Sequence, residues 1–139
     1  MTPFSFQAPR ILRFGRGVLS ETGPVALKLG WRRALLVSSP GASTRPYYRA
    51  VTQSLSRAGI VLAGTATVGP EPTQADWKRG VEVLKAASPD GVIGLGGGAV
   101  LDVAKLVAMS AANPGPLEDY FGVGKVPKPG LPTLLLPTT

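Results

Sequence analysis

The chain has 139 residues, a formal net charge of +7, and neither cysteine nor histidine. A chain of this length makes one domain and can bury roughly two thirds of its unfolded surface without staples. The missing residue types exclude disulfides, thiolate chemistry, the commonest general base and the commonest metal ligand.

The positive charge is scattered over Arg10, Arg13, Arg16, Arg32, Arg33, Lys78, Arg79, Lys125 and Lys128, with no dense run and no interleaved aromatics. That distribution reads as solvated faces with some attraction for phosphate-bearing ligands, and not as a nucleic-acid groove. No apolar run reaches the roughly 18 residues of a membrane span, and residues 1–14 lack a signal-peptide pattern. The expectation is a soluble, cytoplasmic protein without membrane or nucleic-acid partners.

Phe4–Gln7 and Arg10–Phe14 alternate between apolar and polar around Pro9, which predicts two short strands forming an edge hairpin. Gly15-Arg16-Gly17 breaks the ladder. Val18 to Leu29 reads as a helix stopped by Gly30, with Pro24 limiting its first turn. Ala34-Leu35-Leu36-Val37 is a buried strand. Ser43 or Thr44 is expected to cap a helix running to Arg57, with Tyr47, Tyr48, Val51 and Leu55 along one side. Ile60 to Thr67 is the next strand. Thr73 caps a helix with Asp76 at the capping-box position, and Trp77, Val81 and Leu84 recur at helical spacing.

The most telling stretch is Gly91-Val92-Ile93-Gly94-Leu95-Gly96-Gly97-Gly98-Ala99-Val100. A buried strand enters three glycines and leaves as a helix. Val100, Val103, Ala104, Val107, Ala108 and Ala111 form that helix's apolar stripe. Glycines admit positive φ and close approach to the main chain, and the first helical N–H groups lack internal partners. Such a corner suits an anion, above all the pyrophosphate of a dinucleotide. Gly94, Gly96 and Ala99 fit the spacing of the dinucleotide fingerprint. Its acid at the end of the next strand is missing, because Glu118 and Asp119 fall in a Pro/Gly-rich stretch. Leu134-Leu135-Leu136 is the last strand, followed by Thr138-Thr139.

Continuous apolar strands alternating with helices predict an α/β fold, a parallel sheet with helices on both faces. Ser39, Glu71, Gly96 to Ala99 and Thr138-Thr139 each follow a strand and would share one rim, where such sheets bind ligands.

Gly96-Gly97-Gly98-Ala99-Val100-Leu101-Asp102-Val103-Ala104-Lys105 resembles the GGGSxxDxAK motif of the iron-containing alcohol dehydrogenase family. Phe14-Gly15-Arg16-Gly17, Val68-Gly69-Pro70-Glu71-Pro72-Thr73 and residues 122–139, ending in Leu136-Pro137-Thr138-Thr139, match further family segments in order. The resemblance implies a Rossmann-like, dehydroquinate synthase-like N-terminal domain occupying residues 1–139. It also implies that the family's helical C-terminal domain, with its divalent iron or zinc on one Asp and three His, is absent from these residues. The implied activity is hydride transfer between NAD or NADP and an alcohol or aldehyde, with this segment inactive alone. Cofactor-binding positions carried over by the motifs are Ser39, Gly96, Gly97, Gly98, Ala99, Val100, Asp102, Thr138 and Thr139. Ala99 replaces the family's usual Ser and loses a hydroxyl donor. Asp102 is expected in the first helical turn. Ser39 stands where many NAD-preferring members have Asp, which points to tolerance of NADP, with Arg45 nearby. Alternatives are a maleylacetate reductase-like N-terminal domain and a non-catalytic nucleotide-binding module. An exposed N-terminal strand would make a homodimer contact.

Overall fold

Strands and helices alternate along the chain as the apolar pattern predicts. The computed structural model describes residues 2–5 and 7–139. The elements are α1 (Thr22–Lys28), β1 (Arg33–Ser38), α2 (Pro46–Arg57), β2 (Val61–Thr67), α3 (Gln74–Ala87), β3 (Gly91–Gly96), α4 (Gly98–Ser110) and β4 (Thr133–Pro137). Short 3-10 turns span Val18–Glu21, Ala42–Thr44 and Leu117–Tyr120.

All the strand pairings are parallel, in the order β2-β1-β3-β4. From β1 the chain moves outward to β2, then crosses back to β3 on the other side of β1. The order of travel therefore reverses between β1 and β3, and ligands bind at such a point in open α/β sheets.

Alternation along the central strands assigns the two cores. Ala34, Leu36, Ile93 and Leu95 face α1 and α2, where Ala26, Val51 and Leu55 meet them. Leu35, Val37 and Val92 face α3 and α4, where Trp77, Leu84, Val103 and Val107 meet them. The expected stripe on α4 is buried at Val100, Val103, Ala104, Val107 and Ala108, while Ala111 is exposed just past the helix. Burial of each valine on this stripe contributes roughly 1.5–2 kcal/mol of transfer free energy.

Two expectations are corrected. The N-terminal edge hairpin is not formed: no described residue from Thr2 to Phe14 is in a strand, and Phe6 lies outside the described residues. The sheet edges are β2 and β4, so among the described residues the arm has no strand beside it, and Phe4 and Phe14 are 86% and 99% exposed. Neither Ser43 nor Thr44 caps α2. Both lie in the Ala42–Thr44 turn, and the helix opens instead on Pro46, whose fixed φ suits a first helical position. The Pro/Gly-rich connection between α4 and β4 carries the turn Leu117–Tyr120, seated by the buried Leu117.

The amino end of the sheet is tied by side chains. Asp90 Oδ2 accepts from the backbone N–H groups of Arg32 (2.7 Å) and Arg33 (2.9 Å). Those bonds, led by the one from Arg32, hold the Asp90 carboxyl below the usual carboxylate range. The Arg33 guanidinium donates to the Ala87 carbonyl through Nη2 (2.7 Å) and Nε (3.1 Å). Buried Asn113 donates to the carbonyls of Met109 (2.9 Å) and Lys128 (2.8 Å), clamping the strand-entry loop onto the end of α4.

Candidate functional site

Because every strand points the same way, the segments after β1, β2, β3 and β4 emerge on one rim. At its centre stands the β3–α4 corner. The glycines there act by close approach and not by positive φ: Gly97 has φ −79° and ψ −179°, and neither Gly96 nor Gly98 is in the left-handed region. A methyl group on Gly94 would sit 2.9 Å from the Ala104 Cβ, and one on Gly96 would sit 2.8 Å from Val100 Cγ2. These two glycines let α4 lie directly on β3. Gly98 differs, since a methyl there would meet nothing within 4 Å. It faces open space.

The first turn of α4 closes through the Leu101 N–H donating to the Gly97 carbonyl (3.1 Å). Among the described residues, the amides of Gly97, Gly98, Ala99 and Val100 have no acceptor. The helix start has no side-chain cap and no acid in its first turn. The partial positive charge of the helix end is therefore uncompensated by the chain itself. Asp102 was expected in that turn. It lies in the second turn because α4 begins at Gly98, and it forms an exposed i,i+3 ion pair with Lys105 (2.8 Å).

The other expected residues surround this corner to different degrees. The Thr138 N–H donates to the Gly96 carbonyl (3.0 Å), and Thr139 Oγ1 lies 3.6 Å from where a Gly97 Cβ would be. Both threonines are thus beside the glycines. Ser39 is half-buried, one step past the Ser38–Leu95 pairing of β1 with β3, and its carbonyl accepts from the Ala42 N–H (3.1 Å). Gly41, with φ 76°, turns the chain there. Arg45 is exposed at the entry of α2. Asp102 points to solvent and joins the corner only through the helix it shares.

The segment after β2 is fixed by a residue that the sequence assigned only to helix capping. The Val68 N–H donates to the Ser38 carbonyl (2.9 Å). Asp76 Oδ2 accepts from both the Thr73 N–H (2.9 Å) and the Thr73 hydroxyl (3.0 Å), and the Asp76 N–H donates to Thr73 Oγ1 (3.2 Å). Arg79 pairs with the other carboxylate oxygen. The Thr73 amide above all, with its hydroxyl, Arg79 and the Gly69 amide, holds the Asp76 carboxyl below the usual range despite burial.

The rim fits a pyrophosphate: free main-chain donors at a helix start, with no Cβ on Gly97 or Gly98 to cover them. It does not fit a metal. No group of three or more acidic, His or Cys side chains is placed to hold one among the described residues. Two concavities of about 370 Å³ each, both lined by Lys85, Ser110 and Pro114, lie against the carboxyl ends of α3 and α4. The chemistry of the free amides is nowhere near them.

An open parallel sheet with a glycine-turned, uncapped helix start at its switch point defines an α/β domain of Rossmann-like type. The sequence carries the assignment further. Residues 9–139 match the model of the iron-containing alcohol dehydrogenases, and the chain belongs to that family. Alcohol dehydrogenase 4 of Schizosaccharomyces pombe is 33% identical over 135 residues, which are 97% of this chain and 32% of the yeast protein. The solved NADH-dependent butanol dehydrogenase A from Thermotoga maritima superposes with a TM-score of 0.87 at 33% identity, over 97% of this chain and 34% of that one. A 1,3-propanediol oxidoreductase superposes at 0.95 with 28% identity, over 99% and 36%. A maleylacetate reductase from Rhizobium sp. strain MTP-10005 follows less well, at 0.73 with 27% identity, over 100% and 34%. The chain thus spans about a third of the length of the relatives it matches. No described helix is long and apolar enough to cross a membrane.

Proposed function

We propose that residues 1–139 are the dinucleotide-binding domain of an NAD(P)-dependent alcohol dehydrogenase. The single observation that carries this reading is the set of unpartnered amides at Gly97, Gly98, Ala99 and Val100. They offer charge-assisted hydrogen bonds to a pyrophosphate, and the start of α4 adds its dipole. Gly96 keeps the helix close enough to β3 for those amides to reach the rim. Thr138 and Thr139 flank the same phosphates, and Ser39 receives the adenosine ribose from the β1 side. Asp102, held by Lys105, acts on the bound dinucleotide only through the helix field.

When bound, the nicotinamide supplies or accepts a hydride at an alcohol or aldehyde carbon. This chain binds and orients the dinucleotide for that exchange. A divalent metal, iron or zinc, and the substrate pocket belong to parts of the longer family protein outside these residues. The segment alone therefore binds nucleotide without turnover. The better superposition on alcohol dehydrogenases than on maleylacetate reductase favours the alcohol or aldehyde reading. Pairing of the N-terminal arm between two copies is the proposed homodimer contact.

Ser38 and Ser39 carry no charge to repel a ribose 2′-phosphate, and Arg45, exposed at the entry of α2, forms no ion pair among the described residues. NADPH is expected to bind this chain at least as tightly as NADH. Fluorescence titration of both reduced dinucleotides checks this. A preference for NADH of about tenfold, some 1.4 kcal/mol, refutes it. Failure to bind either refutes the function.

A further inference from the structure

The strand order places the segments after β1 and β2 on one side of the glycine corner and the end of β4 on the other. Thr139 crowds Gly97 on the β4 side. On the β1–β2 side the wall is the loop 68–73, whose sequence Val68-Gly69-Pro70-Glu71-Pro72-Thr73 contains two residues that cannot donate. This loop cannot be stiffened by a ladder of its own. Its start is tied to β1 by the Val68 N–H, and its end is tied by Thr73 to the Asp76 carboxylate.

Resting on the dinucleotide reading above, we propose that Asp76 is a positioning residue for the cofactor. Its carboxylate anchors the Thr73 end of loop 68–73 and so shapes the wall that receives the adenylate half. Two features go beyond ordinary capping. Asp76 is only 5% exposed, so its charge is retained in the protein by specific partners. One carboxylate oxygen takes both the amide and the hydroxyl of Thr73, while the other takes Arg79. The start of the loop is held separately by the Val68 N–H on the Ser38 carbonyl, so the carboxylate sets the position of its other end. Loss of the carboxylate frees the Thr73 end of the loop without touching the β3–α4 corner.

The test uses the full chain with NADH, AMP and nicotinamide mononucleotide as probes, and the variants Asp76→Ala, Asp76→Glu and Val81→Ala. Val81 packs half-buried against the α3–α4 core and serves as a stability control. Asp76→Ala is expected to weaken AMP and NADH about tenfold and leave nicotinamide mononucleotide unchanged. Asp76→Glu is expected to restore AMP binding, since Glu closes the same capping box. Val81→Ala is expected to lower the thermal midpoint without changing AMP affinity. Unchanged AMP binding in Asp76→Ala overturns the proposal. So does equal weakening of all three probes, or an AMP loss in Val81→Ala that tracks its loss of stability. A wild-type chain that binds none of the probes instead overturns the dinucleotide reading on which the proposal rests.

Discussion

The two ends of this sheet are built on opposite plans. At the amino end, side chains reach across long sequence separations to use up main-chain groups: Asp90 takes the amides of Arg32 and Arg33, Arg33 takes the Ala87 carbonyl, and Asn113 takes two more carbonyls. At the carboxyl end the corresponding groups are left bare at Gly97 and Gly98, and the helix start there has no cap. A buried or half-buried polar group without a partner costs stability, so the closed end stabilises the fold. The open end keeps its hydrogen-bonding capacity for something outside the chain. The same residue type serves both plans: Gly91 and Gly98 are equally small, but Gly91 is packed against a ring and Gly98 faces open space.

Substitution at these two glycines is the sharpest way to break the contrast. A methyl group on Gly91 would lie 2.1 Å from the Trp31 ring, which is itself buried. Gly91→Ala is expected to cost at least about 1–3 kcal/mol from overpacking, measured as a shift in the urea midpoint. A neutral result would mean that the amino end yields more easily than its packing indicates. Gly98→Ala is expected to leave the urea midpoint unchanged or slightly raised, because the methyl enters open space at a helix start. It is expected to weaken NADH by about tenfold, some 1.4 kcal/mol, because the methyl covers the free amides. Full retention of NADH affinity would move the phosphates away from this corner.

The smallest effect concerns acid. The folded Asp90 carboxyl is held below its ordinary range, chiefly by the Arg32 amide and then the Arg33 amide. A depressed carboxyl contributes stability that is present above its unfolded pKa and lost as pH falls through the folded value. Asp90→Asn is therefore expected to flatten the decline in stability between neutral and acidic solution. Urea midpoints at a series of pH values measure it, and an unchanged slope would show that the Asp90 contacts contribute no linkage.

Much of this was legible in the sequence for a local reason. The strand–glycine–helix run, the α4 stripe and the Thr73–Asp76 box depend on residues a few positions apart, and short-range spacing reveals them. Strand direction put Thr138 on the same rim as Gly96, but their contact depends on the β3–β4 pairing, which the sequence did not reveal. The Asp90 staple was not readable, because it joins residues 57 and 58 positions apart through a side chain. The arm from Thr2 to Phe14 misled because alternation signals a strand only where a partner strand exists. Asp102 was misplaced by one turn because nothing local told whether the helix began before or after the third glycine. Asp76 was recognised as a cap, but its burial and its second partner, Arg79, depend on how the helix start packs.

The packing of Trp31 over Gly91 has one more consequence. The chain has two tryptophans, and this one is 1% exposed, in the core between the sheet and the α1–α2 layer. The other, Trp77, lies in the core on the opposite face and donates its indole N–H to Ser110 Oγ (3.0 Å). Each face of the sheet thus carries its own intrinsic fluorophore. Emission from the unmodified protein reports on the integrity of both layers, with no label required.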